Sequence, residues 1–584
     1  MENGRRSASA AVAAVLVVAT VLVVSMVSLA GCGEGGRAAA PAVSATLRAY
    51  DINPVPRGQV REGGTLRWGI DHYPSQWNLN HVNGRLPEVE AVMDALMPAP
   101  FRADERGIVA PDPDYLTRAE VTRGSPAQVV TLTLNPRARW SDGRPITWED
   151  YHAQWRAMSG RDPAYQVAGT AGYRDIGSVA RGAHDHQVVI TFARPFADWR
   201  SLFTPLYPRS ANATPDAFNG YWLNAIPVTA GPFKPAGLDP DARTVTVVRD
   251  PAWWGEKARL DRIVFRAMDA AARLRAFTAG ELDVTDLGMS AEAVAKARAS
   301  RDAVVRQAAG PGYRQLTLNG ESPRLADPAV RQAVAMAIDR AELARAGLAG
   351  LGWPAVPLGN HFFLNTQAGY RDNSHEIGTY DPEAAAERLE DAGWVLDERT
   401  GVRRKDGAEP ALRFVVPAGV AVSRAEGERV RAMLAEVGVK VTVVEVPADA
   451  FFTKHVIPGD FDIAPFTYAG SPFPVSASYA QYADAVTPPG GARTVGAGGP
   501  RVWNANLARI GHPTTDRALL RAMGELDPTR RLGYTHAADA LLWRNVNVLP
   551  LYQRPQTVAV RASLANIGAN GFRDLRYTDI GFTR

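Results

Sequence analysis

Apolar and polar residues alternate strictly along residues 129–134, VVTLTL, where Thr131 and Thr133 separate apolar neighbours. This alternation predicts a half-buried β-strand, because successive side chains of a strand point to opposite faces. Asn135-Pro136 ends the predicted strand, since proline has no N–H to give to the ladder. Ser141-Asp142-Gly143 follows with turn chemistry, in which the glycine can take a positive φ.

The next residues change to a helical period. Thr147 followed by Asp150 is typical of a capping box at a helix N-terminus. The helix that begins there carries large apolar residues on one face, which are Trp148, Tyr151, Trp155 and Met158. Residues 129–158 therefore predict a strand, a turn and a capped amphipathic helix.

Similar patterns recur along the chain. Residues 63–70, GGTLRWGI, and 188–192, VVITF, predict strands, and residues 550–552 predict a strand that returns late in the chain. Residues 327–340 predict a helix with Pro328 in its first turn. Its apolar face comprises Val330, Val334, Ala337 and Ile338. This mixture predicts an α/β protein.

The N-terminus has a different character. Arg5-Arg6 precede an apolar run from Ala10 to Ala30, which ends in Leu29-Ala30-Gly31-Cys32. A basic start, an apolar run and small residues before a cleavage point are typical of a secretory signal. The last four residues resemble the bacterial lipobox, in which the cysteine becomes the lipidated first residue. An uncleaved membrane anchor is the alternative, because the run is long enough to span a bilayer.

Composition narrows the function. The 584 residues are 46% hydrophobic and 22% charged, with a formal charge of +4, which is ordinary for a soluble globular protein and argues against a nucleic-acid surface. The length favours two or three lobes. Cys32 is the only cysteine, so its lipidation leaves no thiol for a disulfide, for catalysis or for a metal site.

Motifs for catalysis are missing from the sequence. It contains no Gly-x-Ser-x-Gly elbow, no Gly-x-x-x-x-Gly-Lys-Ser/Thr phosphate loop and no His-Glu-x-x-His zinc helix. His184-Asp185-His186 is the only tight histidine pair, and its polar surroundings favour a solvated turn over a metal site. We therefore expect no enzyme activity, no metal and no cofactor.

The strand–turn–helix block resembles the signature of the family 5 solute-binding proteins, the peptide- and nickel-binding receptors of ABC importers. The matching positions are Leu132, Leu134, Trp140, Ser141, Asp142, Gly143, Pro145, Thr147, Glu149 and Asp150. Two further segments resemble sequence motifs of the family. They are residues 327–340, DPAVRQAVAMAIDR, and residues 380–394, from Tyr380 to Trp394. The resemblance extends from Gly63 to the C-terminus.

This resemblance implies a fold and its division. The fold is the two-lobed α/β fold of periplasmic binding proteins, of the large type II class with an extra small lobe and a hinge. We expect a signal peptide in residues 1–31 and a flexible tether in 32–61. Lobe I is expected to comprise 62–100, 226–310 and 547–584, the small lobe 101–225, and lobe II 311–546.

The resemblance also implies a function. Such a protein is a monomer, lipid-anchored at the extracellular face of the cytoplasmic membrane. It closes on an oligopeptide-like or other small ligand and delivers it to ABC permease subunits in the membrane. The alternative is a non-transport lipoprotein on the same scaffold, of the kind linked to mannosylated phosphatidylinositol metabolism.

Candidate site residues follow from family positions alone. For the ligand they are Trp77, Asn78, Tyr468, Ser471 and Tyr552, whereas the lipidation candidate, Cys32, comes from the lipobox-like end of the N-terminal apolar run. Peptide-binding relatives hold the ligand's α-amine with an aspartate that precedes a proline; if Pro474 takes that proline position, Gly470 replaces the aspartate. Either another acid, such as Asp462, binds an amine or the ligand has none there.

Overall fold

The computed structural model describes residues 46–486 and 502–583. The predicted signal peptide and Cys32 lie outside these residues. The strands in chain order are β1 Asp51–Ile52, β2 Thr65–Ile70, β3 Phe101–Ala103, β4 Val109–Pro111, β5 Leu116–Arg123, β6 Val129–Leu134, β7 Ile176–Arg181, β8 Gln187–Phe192, β9 Phe233–Asp239, β10 Thr244–Arg249, β11 Arg262–Ala267, β12 Val284–Asp286, β13 Ala303–Leu318, β14 Val395–Asp397, β15 Val402–Arg404, β16 Ala411–Pro417, β17 Lys440–Val446, β18 Ile463–Ala469, β19 Val548–Arg561, β20 Leu564–Ala565, β21 Gly568–Ala569 and β22 Gly581–Phe582.

The helices pack around these strands. In chain order they are α1 Pro87–Met93, α2 Trp148–Met158, α3 Arg209–Asn212, α4 Pro215–Gly220, α5 Ala270–Thr278, α6 Ala291–Arg298, α7 Pro328–Met336, α8 Arg340–Gly347, α9 Pro382–Asp391, α10 Ala421–Glu436, α11 Pro474–Tyr482, α12 Pro513–Gly524 and α13 Pro528–Asn545. In the described part of the chain, none of them has the length and apolar character needed to cross a membrane.

Ten strands form one mixed sheet in the order β17-β16-β18-β13-β19-β12-β2-β11-β10-β9. We call the part from β12 to β9, with its helices, the first lobe, and the part from β17 to β18, with its helices, the second lobe. Parallel pairs join β12, β2 and β11 in the first lobe and β17, β16 and β18 in the second. The fold is therefore the mixed α/β fold that the sequence predicts.

Two long antiparallel strands connect the lobes. β13 and β19 pair from Ala303↔Arg561 to Thr317↔Val548. The register shifts between Ala309 and Tyr313, where residues 310–312 read Gly-Pro-Gly. β12 pairs with the end of β19 on one side of this shift, and β18 pairs with residues 312–318 on the other. We call residues 309–313 and 553–556 the strand crossing.

A separate antiparallel sheet, ordered β5-β6-β8-β7, packs against α2 and forms the side lobe. The predicted strand at 129–134 and the predicted helix from Trp148 to Met158 are both confirmed. The capping box is present, with the Asp150 carboxylate accepting the Thr147 N–H at 3.0 Å. Gly143 has a φ of +88°, as the turn chemistry requires.

Two expectations differ from the structure. The helix predicted over 327–340 ends at Met336, because the Asp339 side chain accepts the Glu342 N–H and begins a second helix, α8. The last part of the expected tether is regular structure: Asp51–Ile52 pairs with Gly568–Ala569, and Asn566 bonds both the N–H and the carbonyl of Val55.

A buried ion pair joins β13 to α10. The Arg314 guanidinium bonds the Glu426 carboxylate at 2.5 to 3.1 Å and the Ser423 hydroxyl at 2.9 Å. The side chains are only 8% and 3% exposed. Two charges this well buried require each other, because an unpaired buried charge keeps its full desolvation cost.

Glu426→Gln should therefore lower the free energy of unfolding by about 3 kcal/mol or more, since Arg314 keeps its charge and loses its counter-ion. Urea unfolding would measure this loss. Glu428→Gln on the same helix is the matched control, because Glu428 pairs with Arg431 in solvent, and it should change stability by less than about 1 kcal/mol. Equal effects of the two substitutions would contradict the assignment.

Candidate ligand site

The carboxyl ends of the parallel strands in both lobes point towards the strand crossing. β12 runs from Val284, opposite Val560, to Asp286, opposite Val558. β18 runs from Ile463, opposite Leu318, to Ala469, opposite Gly312. In open α/β sheets ligands bind outside the carboxyl ends of strands. The space next to residues 309–313 and 553–556 is therefore the candidate ligand site.

Aromatic side chains cluster on the second-lobe side of this site. The rings of Tyr313 and Tyr468 stack with centroids 6.3 Å apart, and Tyr370 packs on the same cluster. Burial raises the pKa of Tyr468 to about 12 and that of Tyr370 to about 12, because it disfavours the phenolate. Their hydroxyls remain protonated at neutral pH. The site thus combines apolar ring faces with neutral hydrogen-bonding groups, as ligand clefts usually do.

Tyr468 and Ser471 lie close together, at the end of β18 and in the loop that follows it. The Ser471 hydroxyl accepts the Phe473 N–H at 3.1 Å, and the Ser471 carbonyl accepts the Gln367 side-chain amide at 2.8 Å. Tyr552 lies two strands away on β19, beyond β13, and is buried under α8, where its hydroxyl lies beside Gly347.

Trp77 and Asn78 lie in the loop after β2, fully buried. The Tyr207 hydroxyl donates to the Trp77 carbonyl at 2.8 Å, and the Asn78 amide donates to the Phe218 carbonyl at 3.2 Å. Within residues 46–486 and 502–583, no hydrogen bond or ring contact connects this pair to the other three predicted residues. The structure therefore does not bring the five predicted ligand residues into one group.

Gly470, which replaces the relatives' aspartate if Pro474 takes the family's proline position, packs closely against its neighbours. The Gly470 N–H donates to the Pro311 carbonyl at 2.6 Å. A Cβ added at Gly470 would lie 2.9 Å from the Leu364 side chain and 3.1 Å from the Pro311 oxygen. A side chain at position 470 would require the Leu364 side chain and the Pro311 carbonyl to shift, so the close approach of this loop to the strand crossing favours glycine.

Asp462, the alternative acid, is at the opposite end of β18. Its carboxylate accepts the Ser322 hydroxyl at 2.5 Å and the Arg413 N–H at 2.7 Å. β18 is seven residues long, which separates Asp462 from the candidate site by roughly 20 Å. The carboxylate of Asp462 is therefore a structural group and does not face the site.

Charged residues at the strand crossing were not among the sequence candidates. Arg314 and Glu426 form the buried pair described above, Arg554 lies in the middle of β19, and Asp286 ends β12. Arg314 and Arg554 lie in strand segments that also contain polar residues, YRQLTL and LYQRPQ. The residue types alone gave little signal, and only the position of these segments in two central, largely buried strands makes the charges unusual.

Metal ligation has no support in the described part of the chain, where no three His, Cys, Asp or Glu residues come together as a metal site. His184 and His186 have ring centroids 6.3 Å apart, and Asp185 between them pairs with Arg181 at 2.6 Å.

Comparison with known proteins identifies the family. The sequence pattern of the bacterial extracellular solute-binding proteins, family 5 (middle part), matches residues 116–487. The oligopeptide-binding protein OppA of Mycobacterium tuberculosis (strain H37Rv) is 39% identical over 566 residues, 95% of this chain and 92% of OppA. A probable monoacyl phosphatidylinositol tetramannoside-binding protein of the same species, LpqW, is 31% identical over 316 residues, 53% of this chain and 48% of that protein.

Solved structures of other binding proteins have the same fold as this chain. The periplasmic EDTA-binding protein EppA superposes with a TM-score of 0.79 at 23% identity, covering 93% of this chain and all of that one. The oligopeptide-binding protein AppA of Bacillus subtilis, solved with a nonapeptide, superposes with a TM-score of 0.69 at 17% identity, covering 90% of this chain and all of that one. These relatives are binding proteins, not enzymes. The chain belongs to the family 5 bacterial extracellular solute-binding proteins and has their two-lobed fold.

Proposed function

We propose that the chain is the receptor of an ABC importer, which closes its lobes on an oligopeptide-like solute outside the cell and delivers it to the permease. The observation that carries this proposal is the 39% identity to an oligopeptide-binding protein across nearly the whole of both chains. The receptor acts as a monomer, and Cys32 provides its lipid anchor on the extracellular face of the membrane.

The strand crossing supports a mechanism of closure. Pro311 and Pro555 interrupt the two connecting strands at the same level, where neither can donate a ladder hydrogen bond. Gly310 and Gly312 flank Pro311 and add backbone freedom. A connection weakened at this level lets the lobes rotate while the pairing on both sides stays intact.

Contacts between the side lobe and the second lobe support a closed state. Asp198, in the loop after β8, pairs with Arg531 of α13 at 2.5 Å and is 3% exposed. Beside it, the Ala197 N–H donates to the Met523 carbonyl at 2.7 Å. We call these four residues the latch. Opening of the lobes breaks the latch, so the latch contributes to the open–closed equilibrium and, through it, to affinity.

The second candidate is the non-transport function of an LpqW-like lipoprotein in cell-envelope glycolipid metabolism. Two observations favour it: the 31% identity to LpqW over 316 residues, and the absence of a carboxylate at position 470. On this alternative the site binds a glycolipid headgroup, and no permease is needed.

Mass spectrometry of co-purified ligands distinguishes the two candidates. The soluble form that begins at Gly33, purified without unfolding, should release a mixture of short peptides when it is denatured. The same protein stripped in denaturant and refolded serves as the control and should release none. Glycolipid fragments, or a protein that no peptide pool stabilises against heat, would contradict the importer and favour the LpqW-like function.

Weakening the latch should weaken binding without unfolding the protein. Asp198→Asn removes the charge that Arg531 meets in the closed state, and we expect the Kd for the co-purified peptides to rise about tenfold, the equivalent of about 1.4 kcal/mol. Calorimetric titration measures the change. Asp185→Asn is the matched control, because Asp185 pairs with Arg181 inside the side lobe. A Kd that is the same in both variants would contradict the latch.

A further inference from the structure

Arg554 lies at the level of the strand crossing, on β19, and is half-buried. Its carbonyl would lie 3.2 Å from a Cβ at Gly310, and its Cδ would lie 3.9 Å from a Cβ at Gly312. The side chain therefore passes over the Gly-Pro-Gly break of β13. Asp286 from the first lobe and Arg314 from the second are the nearby charges, and they act on Arg554 only through space. Arg554 is thus a cation between the two lobes.

The Arg554 guanidinium has no hydrogen bond or ion pair with any residue in 46–486 or 502–583. Neighbouring buried arginines differ from it: Arg314 bonds Glu426, and Arg273 pairs with Asp71 at the end of β2. Arg340, under the second lobe, donates to the carbonyls of Leu358, Pro550 and Gly378. Arg554 is only half-buried, so the five N–H donors of its guanidinium, which meet no acceptor among the described residues, can be offered to a ligand.

Among the described residues, none of the acidic side chains near Arg554 forms an ion pair with it. Glu426 neutralises Arg314, and Asp71 neutralises Arg273. The Asp286 carboxylate accepts the Gly288 N–H at 2.6 Å and makes no bond to Arg554. Burial lowers the pKa of Arg554, because the charged form loses solvation that no partner replaces. A carboxylate fits this group best, since a guanidinium meets it with two parallel hydrogen bonds.

The second-lobe side of the candidate site, formed by β18 and the loop after it, has no acid that could bind an ammonium group of the ligand. Residues 462–474 contain one acid, Asp462, and its carboxylate is committed to Ser322 and the Arg413 backbone. Gly470 carries no side chain that could bind an amine. A cationic end of the ligand therefore finds no counter-ion in this loop, whereas an anionic end can pair with Arg554.

We propose that the ligand is anchored by a carboxylate on Arg554 at the strand crossing, and that a free α-amine is not required. This inference rests on the proposed function of a peptide receptor and adds its substrate class: peptide-like acids whose anionic end carries the recognition. Because Arg554 lies between the lobes, the same contact favours closure when the ligand binds.

Four forms of the same short peptide pool test the inference by calorimetric titration: unmodified, N-acetylated, C-amidated and doubly blocked. The unmodified and N-acetylated pools should bind with similar Kd, while C-amidation should raise Kd about tenfold or more, because a charge-assisted pair is lost. Arg554→Gln should bind the acid and amide pools alike. Arg554→Lys should retain part of the preference for the acid, and thermal unfolding should show that both variants fold.

Arg413→Gln is the matched control, since Arg413 pairs with Asp460 in solvent, and its preference for the acid should equal that of the unaltered protein. An unaltered protein that binds acid and amide equally, or that loses binding on N-acetylation, would overturn the carboxylate anchor and leave the peptide receptor standing. Failure of all four pools to bind would instead overturn the peptide receptor, and the anchor with it.

Discussion

The pairing of β13 with β19 is the constraint on which the rest of the structure depends. These two strands are the centre of the ten-stranded sheet, and they alone among its strands extend from one lobe into the other. The first-lobe strands add to one half of the pair and the second-lobe strands to the other. Any relative movement of the lobes must therefore act on residues 309–313 and 553–556, where the register of the pairing shifts.

Two charged side chains, Arg314 and Arg554, lie in or next to the same residues, and their desolvation lowers the stability of the fold. Charges near the middle of a wide sheet are desolvated, and each is tolerated only with a partner. Arg314 finds its partner in Glu426 within the protein, whereas the partner proposed for Arg554 is a carboxylate of the ligand. A ligand that binds at this level, as proposed, couples binding to closure, because a ligand that touches both lobes stabilises the state in which they meet.

Local patterns in the sequence were enough to predict the local elements. Three features depend only on residues that are close together in the chain. They are the alternation at 129–134, the capping box at Thr147 and Asp150, and the apolar face of α2. The helix predicted over 327–340 was too long, because its pattern continues through Ile338 while Asp339 caps a new helix. The two-lobed fold came from the family resemblance, since no local pattern shows that strands as distant in the chain as β13 and β19 will pair.

The site was harder to predict than the fold. Trp77 and Asn78 were chosen by family position, but their contacts with Tyr207 and Phe218 depend on how distant loops pack. The glycine at 470 was visible in the sequence, while the close approach of Pro311 and Leu364 to it is a tertiary contact. Arg554 was visible as a charge next to the strand predicted at 550–552, yet its lack of a partner among the described residues could only be seen once those neighbours were placed.

Closure of the lobes on a ligand is the central claim, and a distance between them tests it most directly. The form that begins at Gly33 has no native cysteine, so spin labels can be attached at Val121→Cys on β5 and Leu520→Cys on α12, both exposed positions. Pulsed electron resonance on the protein with its co-purified ligand should give one short distance. After the ligand is stripped in denaturant and the protein refolded, a longer distance should dominate, and returning the ligand should restore the short one. Identical distance distributions in the three samples would contradict closure.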